Sequence, residues 1–170
     1  RLTGEYKVHT AKNAVLPILA ASILTEETVS LLDVPRITDA ENMAEILTIL
    51  GCRVEKQGRC MRVHSGSLHG WEMPDRLSKQ IRSSIFLLGP ILSRFRRATV
   101  TYPGGCEIGL RPIDLHLHGL RCLGVRVSEE GGMIHCDGSC MRPGEVYFDY
   151  PSVGATENVM MAAVLLDGVT

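Results

Sequence analysis

The chain repeats itself at an interval of about 71 residues, and this internal repeat restricts the possible folds more than any other feature. Thr28-Val29 and Thr99-Val100 lie 71 residues apart, and Thr170 follows at the same interval. Each of these threonines comes after an apolar segment of the kind that forms buried helices. Self-similarity at a fixed period indicates a fold assembled from equivalent units that share one core. At 170 residues the chain is long enough to bury such a core.

The rest of the first unit predicts a second helix and a hairpin. Thr38, with Glu41 three residues later, has the pattern of a capping box. Gly51 predicts the end of that helix, and Gln57-Gly58 predicts a hairpin turn. We therefore expect strand, helix, strand, helix, strand, strand in each unit. The expected segments are a helix over 13–25, a strand over 27–32, a helix over 39–50 and a hairpin over 53–63, in units of about 1–70, 71–143 and an incomplete 144–170.

The two units differ most in one connection. Leu50–Val54 matches Leu123–Val127 at an interval of 73, so the second unit has two extra residues. They fall in the glycine-rich segment Pro103–Pro112, which carries Cys106 and Arg111. Nearby cations lower the pKa of an exposed thiol, and a guanidinium group suits phosphate or carboxylate. The alternative is an ordinary loop with an incidental thiol, in which Arg111 caps neighbouring carbonyls.

The repeat also aligns three predicted helix starts. Ala11-Lys12, Arg82-Ser83 and Val153-Gly154 lie at equivalent positions. Pseudo-symmetric packing would bring them to one end of the domain, where helix N-termini present unpaired N–H groups and partial positive charge. Together with the cations Lys12, Arg82 and Arg111, this predicts a site for a small, multiply anionic ligand.

Composition excludes several other classes of protein. There are 18 basic and 19 acidic residues, a net charge of −1, which argues against nucleic acid as the main partner. The apolar stretch 14–24 is shorter than a membrane span. The six cysteines lack paired spacing, which favours reduced thiols. His135, Cys136 and Cys140 have no second pair at zinc-site distance, so we expect no metal.

Five blocks of the sequence, in order and at matching spacing, resemble the UDP-N-acetylglucosamine enolpyruvyl transferases. The blocks are Ala11–Pro17, Ile81–Ser84, Pro103–Pro112, Arg111–Leu115 and Ser152–Thr156. The resemblance implies an α/β fold of the EPSP synthase-like type, an inside-out α/β barrel of βαβαββ repeats with buried helices. It also implies that the chain is part of the first of two domains, with the third repeat cut short.

The resemblance implies transfer of the enolpyruvyl group of phosphoenolpyruvate to the 3′-hydroxyl of UDP-N-acetylglucosamine in the bacterial cytoplasm, with release of phosphate and without a metal or organic cofactor. Cys106 would donate the proton and would be the thiol that fosfomycin alkylates. Lys12 and Arg111 would hold phosphoenolpyruvate. The implied substrate-binding residues are Lys12, Asn13, Arg82, Arg111, Pro112, Ile113, Asp114, Leu115, Tyr150, Pro151, Ser152, Val153 and Gly154.

The sequence departs from the family pattern in three places. Tyr150 stands where many members have lysine, Pro151 removes a backbone donor, and Thr10 replaces a common glycine. The family's catalytic aspartate and further arginines belong to the second domain, so we expect this chain alone to be inactive. Two rival functions remain open: an enolpyruvyl transferase acting on shikimate 3-phosphate, and a noncatalytic nucleotide-binding repeat domain.

Individual residues also have simpler interpretations. Lys12 would be a solvated lysine at a helix start, and Arg82 would pair with Asp75 or Glu72 on the surface. Asp114 would only stabilise the dipole of its own helix. His116 and His118, two residues apart on that helix, face different directions, and we interpret both as structural.

Overall fold

The computed structural model describes residues 3–6, 8, 10–102 and 113–170. The helices are α1 (Lys12–Ala21), α2 (Thr38–Ile49), α3 (Asp75–Gln80), α4 (Leu88–Phe95), α5 (Asp114–Cys122) and α6 (Val153–Ala163), with 3₁₀ segments at Ser22–Leu24 and Arg82–Leu87. The strands are β1 (Thr28–Leu31), β2 (Arg53–Gln57), β3 (Cys60–His64), β4 (Arg97–Thr101), β5 (Arg126–Glu130) and β6 (Met133–Asp137).

The strands form two three-stranded sheets with the same topology, as the 71-residue repeat predicts. Their orders are β1-β3-β2 and β4-β6-β5, and every pairing is antiparallel. The registers also agree, since Thr28 lies opposite His64 in the first sheet and Thr99 lies opposite His135 in the second. The repeat in sequence is therefore a repeat in strand pairing.

Each sheet contains a tight hairpin where the sequence predicts one. Gln57 pairs with Cys60 across a two-residue turn, and Glu130 pairs with Met133 in the same way. Gly58, Gly131 and Gly132 have positive φ angles of 62°, 58° and 78°, which side chains disfavour. Two-residue turns of this kind match the twist of the flanking strands and set their register.

The first helices of the units occupy the interior, which agrees with the expected buried helices. On α1, Leu16 and Leu19 are buried, and α4 has its residues from Leu88 to Ser93 buried. A fully buried leucine contributes about 1.5–3 kcal/mol through removal of apolar surface from water. Gly89 allows α4 to approach α6, because a Cβ there would lie 2.3 Å from the Asn158 carbonyl oxygen. The first sheet contacts α2 and the 3₁₀ segment that follows α1, and the second sheet contacts α3, α4 and α5.

The second helix of the first unit begins differently from the prediction. The predicted N-cap was Thr38, and this was wrong: Thr38 is the first residue of α2, and Ile37 precedes it with no side-chain cap. The Ile37 carbonyl accepts from the Ala40 and Glu41 N–H groups, and the Glu41 carboxylate pairs with Lys56. The Glu41 carboxylate therefore joins α2 to β2 instead of forming a capping box. Gly51 ends the helix at φ 106°, as expected.

The leading strand of the second unit is shorter than the predicted order requires. It is a single parallel bridge between Glu72 and Thr99, flanked by the hydrogen bond from Met73 N–H to Thr99 O at 2.9 Å. Residues 144–152 of the third unit, all of them described, form no strand. Within the described ranges, no helix has the length and apolar character that crossing a membrane requires.

Candidate functional site

Three helix starts meet at one open cleft of about 730 Å³. Lys12 begins α1, Arg82 begins the 3₁₀ segment that leads into α4, and Val153 begins α6. The 71-residue repeat aligns Arg82 and Val153 with Ala11, the residue before Lys12. The described lining residues are Lys12, Asn13, Leu16, Asp39, Gln80, Ile81, Arg82, Ser83, Ile85, Phe86, Leu115, His116, Tyr150, Ser152, Val153, Gly154 and Glu157.

The start of α1 contributes a paired lysine. The Ala11 carbonyl accepts from the Ala14 and Val15 N–H groups at 3.1 and 3.2 Å, and no side chain caps this helix. The Lys12 ammonium forms an ion pair with Asp39 of α2, and its side chain is 54% exposed. Lys12 is thus oriented at the rim of the cleft and accessible to solvent.

Arg82 lies deeper than Lys12. It is half-buried and lines the cleft at the start of its 3₁₀ segment. Asp75, one of the surface partners considered for it, forms an ion pair with Lys79 at 2.8 Å. Two residues after Arg82, the Ser84 hydroxyl donates to the carbonyl oxygens of Ser78 and Ile81, at 3.1 and 2.9 Å. These hydrogen bonds fix the turn that carries Arg82.

The start of α6 has a polar cap instead of a cation. The Ser152 Oγ accepts from the Ala155 N–H at 3.3 Å, and the Ser152 carbonyl accepts from the Thr156 hydroxyl at 2.8 Å. An N-cap of this kind stabilises a helix by about 1 kcal/mol. Tyr150 lies before it, is 56% exposed and also lines the cleft. This end of the cleft therefore offers hydroxyl and backbone groups.

The cleft brings together eight of the predicted binding residues. These are Lys12, Asn13, Arg82, Leu115, Tyr150, Ser152, Val153 and Gly154. Ile113 is buried in the core, while Asp114 and Pro151 are exposed and do not line the cleft. Cys106, Arg111 and Pro112 lie outside the described residues, so the predicted roles of all three stay predictions.

The described part of the cleft is electrically balanced. It carries the cations Lys12 and Arg82 and the carboxylates Asp39 and Glu157. Burial raises the pKa of Glu157, so this carboxylate is protonated more easily than an exposed glutamate. The net positive site expected from the sequence thus depends on Arg111 in addition to these groups.

Comparison with known proteins identifies the family. Residues 1–170 match the protein family described as EPSP synthase (3-phosphoshikimate 1-carboxyvinyltransferase). The chain belongs to the EPSP synthase family. Among solved structures, the enolpyruvyl transferase NikO from Streptomyces tendae superposes with a TM-score of 0.78 at 20% identity, over 98% of this chain and 38% of that one. An EPSP synthase from Acinetobacter baumannii gives a TM-score of 0.69 at 17% identity, over 97% and 39%. The expected α/β fold is thereby confirmed.

Relatives with similar sequences are named for a second activity. The chain is 50% identical over 170 residues to UDP-N-acetylglucosamine 1-carboxyvinyltransferase 2 of Caldanaerobacter subterraneus subsp. tengcongensis. It is 44% identical over 170 residues to UDP-N-acetylglucosamine 1-carboxyvinyltransferase of Desulfosudis oleivorans. Both matches cover 100% of this chain and 41% of the relative. The chain thus spans about two-fifths of the length of these relatives.

His116 is one of the cleft residues that sequence reasoning missed, together with the carboxylates Asp39 and Glu157. It was interpreted as structural, yet it lines the cleft beside Gly154, and its Nδ1 lies 3.1 Å from the Asn158 amide nitrogen. Burial, and secondarily the charge of Arg82, lowers the pKa of His116 to about 4. His118 points elsewhere, with Nε2 3.0 Å from the Tyr147 carbonyl oxygen. The i, i+2 spacing predicted the divergence but not which ring would reach the cleft.

The described thiols of this family member differ in their surroundings. Burial raises the pKa of Cys52 to about 11 and that of Cys136 to about 12, so both are poor nucleophiles at neutral pH. Cys122 and Cys140 are exposed. Within the described ranges, no cluster of three or more histidine, cysteine or carboxylate side chains is arranged to hold a metal ion.

Proposed function

We propose that this chain supplies one half of the site of an enzyme that transfers the enolpyruvyl group of phosphoenolpyruvate to the 3′-hydroxyl of UDP-N-acetylglucosamine and releases phosphate. The observation that carries the proposal is the cleft at which the starts of α1, the Arg82 segment and α6 converge. Helix starts and guanidinium groups bind phosphate and carboxylate oxygens, which both substrates carry.

The choice of sugar nucleotide over shikimate 3-phosphate rests on sequence. Relatives 41–50% identical over the chain are named for UDP-N-acetylglucosamine, whereas the structures named for EPSP synthase are 16–17% identical. The Cys106 loop agrees with the first activity by resemblance, because the relative acting on shikimate 3-phosphate does not use a cysteine there.

The reaction has two steps, addition and elimination. In the addition, a proton joins the methylene carbon of phosphoenolpyruvate, C2 becomes electrophilic, and the sugar 3′-oxygen bonds to C2 as its own proton leaves. In the elimination, the methyl group loses a proton, the carbon–carbon double bond reforms and phosphate departs. General acid catalysis of the first step contributes about 10²–10⁴-fold to the rate.

Both steps require groups that, in this proposal, the chain supplies. We assign proton donation to Cys106, and the phosphate and carboxylate of phosphoenolpyruvate to Lys12 and Arg111, with Asn13 beside them. Cations fixed before the reaction stabilise the developing charge without reorganisation. We assign binding of the nucleotide sugar to the remaining cleft groups. There the Tyr150 hydroxyl replaces the lysine that many members of the family have. The proposed sugar-contacting residues are Arg82, Arg111 to Leu115 and Tyr150 to Gly154.

The proposal includes a second domain that completes the site with an aspartate and further arginines. The 170-residue chain alone should therefore release no phosphate above background. We place the complete enzyme in the bacterial cytoplasm at the first committed step of peptidoglycan synthesis, and we propose that fosfomycin inactivates it at Cys106. The free thiols among the described cysteines agree with a reducing compartment.

Phosphate release by the full-length protein tests this function. With phosphoenolpyruvate present, UDP-N-acetylglucosamine should support release and shikimate 3-phosphate should not. Release with shikimate 3-phosphate alone would assign the other activity of the family. If no phosphate is released with either acceptor but UDP-N-acetylglucosamine still shifts the melting temperature, a noncatalytic nucleotide-binding domain would be favoured.

A further inference from the structure

Asn158 joins three helices beneath the cleft. It lies on α6, is 0% exposed and does not line the cleft itself. Its Oδ1 accepts from the Gly89 N–H of α4 at 2.6 Å, and its Nδ2 donates to the Ile85 carbonyl oxygen at 3.0 Å. The same Nδ2 lies 3.1 Å from Nδ1 of His116 on α5.

The two backbone contacts fix the orientation of the Asn158 amide. A backbone N–H only donates and a carbonyl oxygen only accepts, so Oδ1 must face Gly89 and Nδ2 must face Ile85. The flipped amide would set N–H against N–H and oxygen against oxygen in a fully buried place. Leaving such groups unsatisfied costs about 1–3 kcal/mol each.

The fixed amide in turn decides the state of the His116 ring. Nδ2 carries two hydrogens, of which one goes to the Ile85 carbonyl and the other points at His116 Nδ1, 3.1 Å away. Nδ1 must accept that hydrogen and so cannot carry its own proton. A neutral imidazole has one protonated nitrogen, which leaves the proton on Nε2.

The protonated nitrogen lies toward the cleft. A Cβ built on Gly154, in the first turn of α6, would lie 3.4 Å from Nε2 of His116. Among the described residues, the charged groups around the cleft are Lys12, Asp39, Arg82 and Glu157, and the charge of Arg82 opposes a second positive charge on the ring. Burial acts in the same direction, and together they lower the pKa of His116 to about 4.

We propose that Asn158 is a positioning residue that holds His116 as its neutral Nε2–H tautomer, so that the cleft presents an uncharged N–H donor beside the start of α6. Such a donor suits a hydroxyl, carbonyl or phosphoryl oxygen of a bound nucleotide sugar. Only this choice of ligand rests on the proposed function. The tautomer follows from the contacts of Asn158 alone.

Nitrogen NMR of the full-length protein labelled with ¹⁵N-histidine tests the tautomer without any ligand. The His116 signals are assigned by their loss in His116→Gln. We expect Nδ1 to show the shift of an unprotonated nitrogen and Nε2 that of a protonated one, unchanged between about pH 6 and 8, where an ordinary histidine titrates. A proton on Nδ1, or titration within that range, would overturn the proposal.

Asn158→Asp tests the positioning role. A carboxylate still accepts from Gly89 but cannot donate to Nδ1, so His116 should take up a proton on Nδ1 and titrate at higher pH than in the unmodified protein. Met160→Leu, at a 65% exposed position of α6, is the control and should leave the ring signals unchanged. An unchanged tautomer in a folded Asn158→Asp protein would contradict the role. If this variant does not fold, the spectrum of the unmodified protein decides the proposal.

Calorimetric titration with UDP-N-acetylglucosamine tests the donor. His116→Gln can return an N–H near the Nε2 position and should bind within about threefold of the unmodified protein, whereas His116→Phe keeps a ring without a donor and should bind about tenfold more weakly. Equal affinity of both variants would refute the donor role. An unmodified protein that shows the expected tautomer but does not bind would instead refute the proposed function.

Discussion

The two sheets of this chain repeat one another closely, whereas the three helix starts at the cleft do not. In the sheets, the Thr28 hydroxyl lies 2.8 Å from His64 Nδ1, and the Thr99 hydroxyl lies 3.3 Å from His135 Nδ1 at the equivalent place. At the cleft, the equivalent helix starts carry a lysine, an arginine and a serine-capped valine. The repeated positions hold strands in register, and the positions that differ line the cleft.

The connection between strand and second helix differs most between the units. In the first unit it joins β1 to α2 within residues 32–37. In the second unit, residues 102–113 join β4 to α5 and include the predicted Cys106 loop. Loops carry binding and catalytic residues more often than the elements they connect, so this connection is where we place the proposed role of Cys106.

Replacement of Cys106 should have the largest effect on turnover. If it had no effect, the loop that differs between the units would not be the catalytic part of the chain. Cys106→Ala in the full-length protein should lower turnover by about 10²–10⁴-fold, the usual contribution of a general acid, with UDP-sugar binding retained. Cys106→Asp keeps a proton donor but no thiolate, so it should turn over and resist fosfomycin.

Turnover with and without fosfomycin distinguishes these cases. Wild-type turnover by Cys106→Ala would mean that the proton comes from another group. Inactivation of Cys106→Asp by the drug would mean that the reactive nucleophile lies elsewhere in the protein.

Thiol reactivity sharpens the contrast between loop and scaffold. The scaffold cysteines Cys52 and Cys136 have pKa values raised to about 11 and about 12 by burial, so little thiolate is present at pH 8. Cys106 should react with iodoacetamide about a hundredfold faster than Cys52 and about a thousandfold faster than Cys136, because the pKa values of these two thiols lie about two and three units above that of an ordinary cysteine. Peptide mapping of alkylated protein measures the order, and faster labelling of Cys52 would contradict it.

The sequence predicted the symmetric scaffold better than the contacts within the cleft. The repeat predicted both hairpins and the alignment of Ala11-Lys12, Arg82-Ser83 and Val153-Gly154, because local turn signals and equal spacing are present in the sequence. It did not predict that His116 would reach the cleft, since that depends on Asn158, 42 residues later. The error at Thr38 has the same origin, because Glu41 pairs with Lys56 across 15 residues instead of capping its own helix.

A glycine substitution tests how closely the equivalent first helices α4 and α6 must pack. Gly89→Ala should lower the free energy of unfolding by about 3 kcal/mol, because its Cβ would lie 2.3 Å from the Asn158 carbonyl oxygen on a neighbouring backbone. Gly66→Ala is the matched control, with its nearest contact at 3.7 Å. Urea unfolding of both variants gives the difference. Equal stability would show that the two helices can separate without cost.

The smallest expected effects concern the paired sheet positions. Thr28→Val and Thr99→Val each remove a hydroxyl from a histidine contact, and each should cost about 1 kcal/mol of stability. Neither should change the affinity for UDP-N-acetylglucosamine, since neither residue lines the cleft. Thermal unfolding and calorimetric titration check the two parts. A loss of affinity in either variant would erase the distinction between scaffold and site.

A comparison of two arginines tests whether the cleft binds the nucleotide sugar. Arg82 lines the cleft, whereas Arg53 lies on β2 in an exposed ion pair with Glu55. The measurement is the dissociation constant of UDP-N-acetylglucosamine for the full-length protein and for Arg82→Met and Arg53→Met. We expect a loss of affinity of about 10- to 100-fold for Arg82→Met and no change for Arg53→Met. Equal affinities of the two variants, or binding of shikimate 3-phosphate in place of the nucleotide sugar, would contradict it.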